Sequence, residues 1–411
     1  MVNEKLLKKY AKLAVVGGAN VQKDQLLVIT ANVRDYEFVD MCIEEAYNNG
    51  AGKVMVEWSD ETHSLLAYTH ETKETLIDIP QWSFDKRKDA QDRGCCYLHI
   101  SSATPGLLKD VDTDKIVAYQ TVAGKIFEPL KSYTMANHGQ WSIVAIPSVG
   151  WAKKVFPDKT DDEAVAALWE AILMSVRITE DNDPIEDWKV HNETLSKHNK
   201  LLNEYAFESL HFTNSLGTDV KIKLVENHIW AGGSEHTTKG VMFNPNMPTE
   251  ETFTMPAKHG VNGRIVATKP LSYQGKVIDE FYLDFEDGKV VNYDAKKELA
   301  SLKSLVEYDE GSSYLGEIAL ISYDSPINNT GILFYNTLYD ENASCHVALG
   351  AAYPMNVKGG ATMSKEELIQ AGANDSMTHV DFMFGSVDMH IEGIMADGST
   401  VVVFDNGNFV I

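Results

Sequence analysis

The alternation of short apolar runs with helical segments between residues 25 and 178 constrains the fold of this chain more than any other feature. Each apolar run has the length and composition of a buried strand, and helical periodicity separates one run from the next. The four runs are QLLVITA (25–31), KVMVEWSD (53–60), CCYLHIS (95–101) and WSIVAIPS (141–148). Strands that are separated by helices predict a parallel sheet with helices on both faces.

The second half of the chain has a different sequence pattern. A charged helix is predicted at about 184–207, and beyond it short strands alternate with Gly, Asn and Pro turns. We therefore predict an α/β N-terminal domain with a parallel sheet over residues 1–184 and an α+β C-terminal domain, rich in short strands, over residues 185–411. Neither GxGxxG nor GxxxxGK[ST] occurs in the N-terminal half, so a nucleotide-binding domain is not indicated.

The charge balance excludes several classes of partner. The chain has 36 Lys and Arg residues against 60 Asp and Glu residues, a net charge of −24. Nucleic acids and anionic membrane surfaces require a basic face, so we expect neither as a partner. The acidity is explained by solubility alone, or by an attraction for cations such as metal ions or the amino terminus of a peptide.

The cysteines and the apolar runs indicate a cytoplasmic protein. Four cysteines occur without a CxxC pair, which is typical of free thiols in a reducing compartment. The first 16 residues are amphipathic and lack the apolar core of a signal peptide, and no run has the length of a membrane span.

Two glutamate motifs in the second half are candidates for metal binding. Glu250 and Glu251 are neighbours in PTEETF, and in an extended chain only one of them faces a given site. The alternative is a solvated acidic turn. Glu317 lies in the apolar run YLGEIALIS, where alternation places it on one face with Leu315, Ala319 and Ile321. A carboxylate among apolar neighbours needs a compensating cation, unless the strand is an edge strand with Glu317 in water.

The segment around His346 is the richest in polar side chains. Its pattern predicts a helix that Asp340 or Asn342 caps and that continues to Tyr353. His346 and Tyr353 are seven residues apart, so they would share one helix face, while Glu341 would converge from the preceding turn. The alternative is an amphipathic helix with a hydrogen-bonded histidine and no metal.

The motif THVDFMFGS predicts a strand with two ligands on one face. His379, Asp381 and Met383 point one way, and Val380, Phe382 and Phe384 point the other way, into the core. An imidazole and a carboxylate on one strand face suit a divalent ion, although an incidental polar face gives the same pattern.

Taken together, these segments suit two adjacent divalent ions better than one structural zinc, which would favour cysteines. HExxH and GxSxG are absent. Cys345 beside His346 could suggest a thiol enzyme, but neighbouring residues on a helix cannot easily pair as nucleophile and base.

At these residues the chain resembles the thermophilic-aminopeptidase family of metallopeptidases, of the aminopeptidase T and aminopeptidase S type, and the likeness spans essentially the whole sequence. The motifs that carry the resemblance are NMPTEETFT (246–254), TKPLSYQG (268–275), LGEIAL (315–320), SPINNTGILFYNTLYDENASCHVALGAAYP (325–354) and HVDFMFGS (379–386).

The resemblance implies a metal-dependent aminopeptidase that releases N-terminal amino acids from peptides, with a catalytic C-terminal domain, two divalent metal ions per chain and a homodimeric assembly. It implies metal ligands at Glu251, Glu317, Glu341, His346, His379 and Asp381 and a catalytic role for Tyr353. We expect Glu250 to carry protons, although the roles of Glu250 and Glu251 could be exchanged. Zinc, cobalt, manganese and magnesium all suit such ligands. The alternative is a non-catalytic peptide- or metal-binding protein of the same fold.

Overall fold

The first half of the chain folds as the alternation of strands and helices predicts. The structure, a computed structural model, describes residues 3–274 and 276–411; Gly275, which ends the TKPLSYQG motif, lies outside the described residues. The elements up to residue 205 are α1 Glu4–Lys12, β1 Leu26–Asn32, α2 Tyr36–Asn48, β2 Lys53–Ser59, α3 Glu61–His70, α4 Lys73–Leu76, α5 Gln81–Asp92, β3 Cys96–Ser101, α6 Thr113–Met135, β4 Trp141–Ala145, α7 Val149–Val155, α8 Asp161–Ser175 and α9 Pro184–Tyr205.

Strands β1 to β4 form a parallel sheet in the order β2-β1-β3-β4, which confirms the predicted α/β architecture. Strand β1 is inside the sheet and its apolar residues are buried, as expected for a strand that is covered on both faces. On one face, Leu26 and Val28 pack with Tyr97 of β3, Ala90 of α5 and Tyr133 of α6. Helices α5 and α6 therefore cover this face of the sheet.

The second half consists mainly of short antiparallel strands. Its elements are β5 Ser209–Thr213, β6 Asp219–Leu224, β7 Glu235–His236, β8 Met242–Phe243, β9 Thr252–Thr254, β10 Pro256–Val266, β11 Leu271–Tyr273, β12 Lys276–Glu286, β13 Lys289–Lys297, α10 Leu299–Val306, β14 Leu315–Leu320, α11 Pro326–Asn329, α12 Thr337–Asp340, β15 His346–Gly350, α13 Lys365–Gln370, β16 His379–Met383, β17 His390–Ile394, β18 Thr400–Asp405 and β19 Asn408–Phe409. This composition confirms the predicted strand-rich region.

Two antiparallel sheets in this half share one core. Among the described residues, nine strands form the larger sheet in the order β11-β12-β10-β6-β5-β17-β18-β19, with β13 paired to β12. The smaller sheet has the order β16-β15-β14-β9. Ile318, Val347, Leu349 and Phe382 of the smaller sheet belong to the same buried cluster as Phe212 of the larger one. The smaller sheet therefore turns one face to the core and leaves the other for polar groups.

The chain divides into two compact units, and each unit consists of two separate segments of the sequence. One unit comprises Met1–Val190 and Ser234–Pro248, and the other comprises His191–Gly233 and Thr249–Ile411. The domain boundary after residue 184 stays a prediction. Among the helices of the described residues, none has both the length and the apolar character that a bilayer crossing demands.

Candidate metal centre

One face of the small sheet carries the candidate ligands. Glu317 of β14 pairs with Ala348 of β15, and Ala348 pairs with Asp381 of β16, while His379 pairs with Gly350. Residues that are directly opposite in an antiparallel sheet project from the same face. Because the middle strand contributes only alanine and glycine at these positions, space remains between the carboxylates and the imidazole.

Glu317 lies between two imidazoles and offers one oxygen to each. Its Oε1 lies 3.4 Å from Nε2 of His346, and its Oε2 lies 3.5 Å from Nε2 of His379. The side chain is buried on the interior strand β14, so the alternative of an edge strand with Glu317 in water is wrong. A carboxylate whose two oxygens face different ligand groups has the arrangement of a bridging ligand.

Two groups of possible ligands meet at Glu317. The first consists of Glu251, Glu317 and His346, and the second consists of Glu317, His379 and Asp381; within each group the ligand atoms lie within 4.8 Å of one another. The Oε2 of Glu251 lies 3.7 Å from Nε2 of His346, and the Oδ1 of Asp381 lies 3.3 Å from Nε2 of His379. Each group combines carboxylate oxygens with an imidazole nitrogen, which suits a divalent transition metal.

Backbone carbonyls orient both imidazoles toward the centre. Nδ1 of His346 donates to the carbonyl of Glu341 at 2.8 Å, and Nδ1 of His379 donates to the carbonyl of Ala351 at 2.7 Å. Because a carbonyl only accepts, Nδ1 carries the proton and Nε2 is left with its lone pair for a metal. A hydrogen bond of this kind is typical of metal-binding histidines.

The electrostatics of the centre favour a bound cation. Burial, together with the charge of Glu317, raises the pKa of Glu251 to about 8. Burial alone would lower the pKa of His346 and of His379, yet the neighbouring carboxylates raise each to about 9. The buried Oδ1 of Asp381 has no hydrogen bond of ordinary geometry among the described residues. The residues present therefore fit divalent ions, which would compensate the buried carboxylates.

The helix that we predicted from Asp340 or Asn342 to Tyr353 is wrong. Helix α12 ends at Asp340, a 3₁₀ turn covers Glu341–Ala343, and His346–Gly350 form the interior strand β15. The sequence HVALG alternates between the ligand face and the core, and pairing with β14 and β16 outweighs the helix propensity of its alanine and leucine.

Glu341 and Tyr353 still lie near the centre, although no helix connects them. Burial raises the pKa of Glu341, as do the charges of Asp381, Glu251 and Glu317. The Tyr353 ring lies in the loop after β15, with its centroid 4.7 Å from that of His379. Glu341 belongs to neither group of close ligand atoms.

A bulge at Gly316 places Leu315 and Glu317 on opposite faces of the small sheet. The register of β14 against β15 shifts between Leu315 and Glu317, so Leu315 packs in the core with Leu349. The prediction that Leu315 shares the Glu317 face is therefore wrong. A Cβ on Gly316 would lie 2.3 Å from the carbonyl oxygen of Ala351, so a side chain at this position would displace the backbone.

The thiol of Cys345 is not part of the centre. Its Sγ donates to the carbonyl of Ile321 at 3.4 Å, and burial raises its pKa to about 12. A buried, protonated thiol is a poor nucleophile.

The two neighbouring glutamates have different surroundings. Glu251 faces His346, whereas the Oε2 of Glu250 lies 3.8 Å from Nε2 of His191. Asn342 accepts a hydrogen bond from the backbone N–H of Glu250 at 2.7 Å. No motif identifies His191 as a neighbour of Glu250, because the two lie 59 positions apart in the sequence.

The small sheet thus presents a buried centre of carboxylates and imidazoles that is suited to divalent cations. The sequence model of the thermophilic metalloprotease (M29) family matches residues 3–409. The chain belongs to this family, and it is therefore a metal-dependent peptidase by family.

Named relatives and a solved structure are similar to this chain over nearly its full length. Aminopeptidase AmpS of Bacillus subtilis strain 168 is 45% identical over 98% of each chain. Aminopeptidase 2 of Geobacillus stearothermophilus is 42% identical over 99% of this chain and 98% of its own. The structure of wild-type AmpT from Thermus thermophilus has a TM-score of 0.92 and 34% identity, covering 99% of this chain and 100% of that one.

Proposed function

We propose that this metal-dependent aminopeptidase holds two divalent ions per chain and uses them to release the N-terminal amino acid of peptides. The observation that carries the proposal is the position of Glu317, whose two oxygens face two separate ligand groups. One ion would be held by Glu251, Glu317 and His346. The other would be held by Glu317, His379 and Asp381, with Glu341 as a further ligand. Zinc, cobalt, manganese and magnesium are all compatible with these donors.

When bound, the ions supply the Lewis acidity that makes a water molecule nucleophilic near neutral pH and polarises the scissile carbonyl. We assign the transfer of a proton from the attacking water to the leaving amine to Glu250, the sequence neighbour of the ligand Glu251. The Tyr353 hydroxyl stays protonated, because burial and the nearby carboxylates raise its pKa. It therefore donates a hydrogen bond to the oxyanion that forms at the scissile carbonyl.

The buried carboxylates also account for a preference for free N-termini. In the surroundings of the centre, Glu341 and Asp381 line one cavity together with Asp340. Burial raises the pKa of Asp340 to about 7, and two backbone N–H groups donate to its carboxylate. Acidic groups at this position attract the α-ammonium of a peptide and disfavour a blocked N-terminus.

The experiment compares aminoacyl chromogenic substrates with their N-acetylated counterparts. The chelated protein and the protein reloaded with each metal are assayed separately. We expect metal-dependent release from the free aminoacyl substrates and none from the acetylated ones. Equal rates on both kinds of substrate, or hydrolysis that survives complete chelation, would contradict the proposal.

We also propose a homodimer in the cytoplasm. The dimer rests on the family resemblance. The cytoplasmic location rests on the four cysteines, which are buried and free. Light scattering of the purified chain at several concentrations tests the assembly, with twice the chain mass of 45.7 kDa expected.

A further inference from the structure

A cavity of about 200 Å³ that is lined by both charged and apolar side chains lies in the α/β unit, on the sheet face that α5 and α6 cover. Glu57 of β2, Thr30 of β1 and His99 of β3 are in register across three neighbouring strands and project into it. The same face is apolar toward the amino-terminal ends of the strands, where Leu26 and Val28 are buried. The polar row thus occupies the carboxyl-terminal half of the strands, the end at which parallel sheets bind ligands.

The cavity contains a cation that, among the described residues, has no carboxylate partner. Arg87 of α5 lines it and lies 4.5 Å from the centre of the Phe127 ring of α6, which orients the guanidinium. Within residues 3–274 and 276–411, Arg87 forms no ion pair. Lys131 also lines the cavity. Lys131 pairs with Glu128 at 2.8 Å, so Arg87 is the cation of the cavity that is available to an anionic group of a ligand.

Neutral polar groups complete the lining. Thr30 and Nδ1 of His99 are hydrogen-bonded at 2.7 Å, so Nε2 of His99 is available to a ligand. Burial, followed by the charge of Arg87, lowers the pKa of His99 to about 4, so the ring is neutral. The hydroxyl of Tyr97 is buried without a hydrogen bond of ordinary geometry to the part of the chain that the structure describes, and the residue is 7% exposed. This hydroxyl interacts with Cys95 and Gln91 only outside ordinary hydrogen-bond geometry, so a ligand would offer it a better partner.

We propose that this cavity binds a free α-amino acid. The ligand's carboxylate pairs with Arg87, and its ammonium pairs with Glu57 and the neutral His99. Its side chain contacts Phe127 and the neighbouring Leu130. Oε1 of Glu57 lies 3.0 Å from Nζ of Lys86 at the surface. The second carboxylate oxygen of Glu57 is left for the ligand. A phosphate dianion fits less well, because Glu57 would repel it.

The size of the cavity supports a ligand of this class. A volume of about 200 Å³ is below the ~300–1,000 Å³ of pockets for drug-sized molecules, and it suits a single amino acid rather than a peptide. The proposal concerns binding in the α/β unit and does not depend on the number of ions in the metal centre.

The test is a calorimetric titration of the full-length, metal-loaded protein with L-leucine. Two analogues identify the groups that are recognised: 3-methylbutylamine lacks the carboxylate, and 4-methylpentanoate lacks the ammonium. We expect leucine to bind. Each analogue should bind with an affinity at least about tenfold lower than that of leucine, because it lacks one charged hydrogen-bonding group. Absence of leucine binding, or tighter binding of inorganic phosphate, would overturn the proposal.

Variants of residues that line the cavity test whether leucine binds there. Arg87→Ala and Glu57→Gln should each weaken leucine binding about tenfold or more. Tyr97→Phe, which keeps the ring, should weaken it by a smaller factor. The control is Arg93→Ala, an exposed arginine at the end of α5 that pairs with Asp89. Circular dichroism establishes that each variant is folded.

Under the proposed function the metal centre would also have affinity for leucine as a product of hydrolysis, so Glu317→Gln distinguishes the two sites. Leucine binding that persists in Glu317→Gln and weakens in Arg87→Ala supports the cavity. Leucine binding that is lost in Glu317→Gln and unchanged in Arg87→Ala places the ligand at the metal centre and overturns the proposal.

Discussion

At the scale of single residues, the two neighbouring glutamates show how the chain separates roles. The extended chain before β9 turns Glu251 toward His346 and Glu250 toward His191. Alternation along an extended segment predicts that only one of the pair faces a given site, but not which one. That choice depends on contacts with Asn342 and His191, which are distant in the sequence.

Exchanging each glutamate for glutamine tests the proposed roles of Glu251 as a metal ligand and Glu250 as the proton carrier. Glu251→Gln should lower the metal content, because an amide is a poorer ligand for a divalent ion. Glu250→Gln should keep both ions and lower kcat by about 10²–10⁴-fold, the usual contribution of general acid–base catalysis. Metal content and kcat are measured on the same preparations. Metal loss in Glu250→Gln alone would exchange the two assignments.

Removal of the Tyr353 hydroxyl should affect the reaction and not the ions. Tyr353→Phe keeps the ring beside His379 and removes the hydrogen-bond donor. We expect kcat to fall about 10²–10³-fold with KM little changed, as for the loss of one oxyanion donor. Tyr308→Phe, an exposed tyrosine of the same unit, is the matched control. An unchanged kcat in Tyr353→Phe would remove this residue from the mechanism.

At the scale of elements, the small sheet positions the ligands through register and one bulge. The bulge at Gly316 lets Leu315 pack in the core while Glu317 faces the imidazoles. A strand of regular alternation would place both residues on one face. The sequence predicts strand β14 because of its apolar run, but the bulge depends on how closely the backbone of Ala351 approaches Gly316.

A methyl group at Gly316 should disturb both stability and the centre. Its Cβ would lie 2.3 Å from the carbonyl oxygen of Ala351, so Gly316→Ala should lower the free energy of unfolding by about 1–3 kcal/mol. The control is Gly124→Ala in α6, where a Cβ would meet no atom within 4 Å. That change should raise stability by about 0.4–1 kcal/mol. Denaturant titration measures both, and equal effects of the two would contradict the bulge argument.

The charged groups of the small sheet determine how much bound metal ions stabilise the protein at each pH. Without ions, the carboxylates raise the pKa of His346 and His379 from 6.5 to about 9, despite the opposing effect of burial. A raised folded pKa contributes stability that is fully present below pH 6.5 and is lost as the pH rises through about 9. Ion binding requires neutral imidazoles, so ion affinity rises over the same window.

The difference in Tm between metal-loaded and chelated protein should therefore widen from pH 6.5 to 9. Thermal unfolding at constant ionic strength, with and without chelator, measures the difference. A difference that narrows over this window would contradict the charge states that we assign to the two histidines.

Strand β15 shows where prediction from the sequence fails at this scale. HVALGAAY contains several residues with high helix propensity, and its alternation of period two covers only five positions. The buried interior position between β14 and β16 decides in favour of a strand. By contrast, the longer apolar runs of β1 and β3 and the acidic start of α8 identify these elements from local sequence alone.

At the scale of the whole molecule, the sequence predicts the two architectures but not the path of the chain between them. Segment Ser234–Pro248 belongs to the unit of the N-terminal half, although it lies far along the sequence. No local pattern marks this return, because it depends on tertiary pairing such as the backbone hydrogen bond from Ile143 to Pro245. The candidate ligands Glu317, His379 and Asp381 were predicted from strand alternation, whereas His346 was predicted on a helix and lies on strand β15.

The central claim is that two ions share Glu317, and the metal content of the intact chain tests it most directly. Wild-type protein and Glu317→Gln are loaded with one divalent metal, dialysed and analysed for metal per chain, with Glu310→Gln as an exposed control. We expect two ions per chain in the wild type and in the control, and the loss of both ions and of hydrolysis in Glu317→Gln. One ion in the wild type, or full metal content and activity in Glu317→Gln, would contradict it.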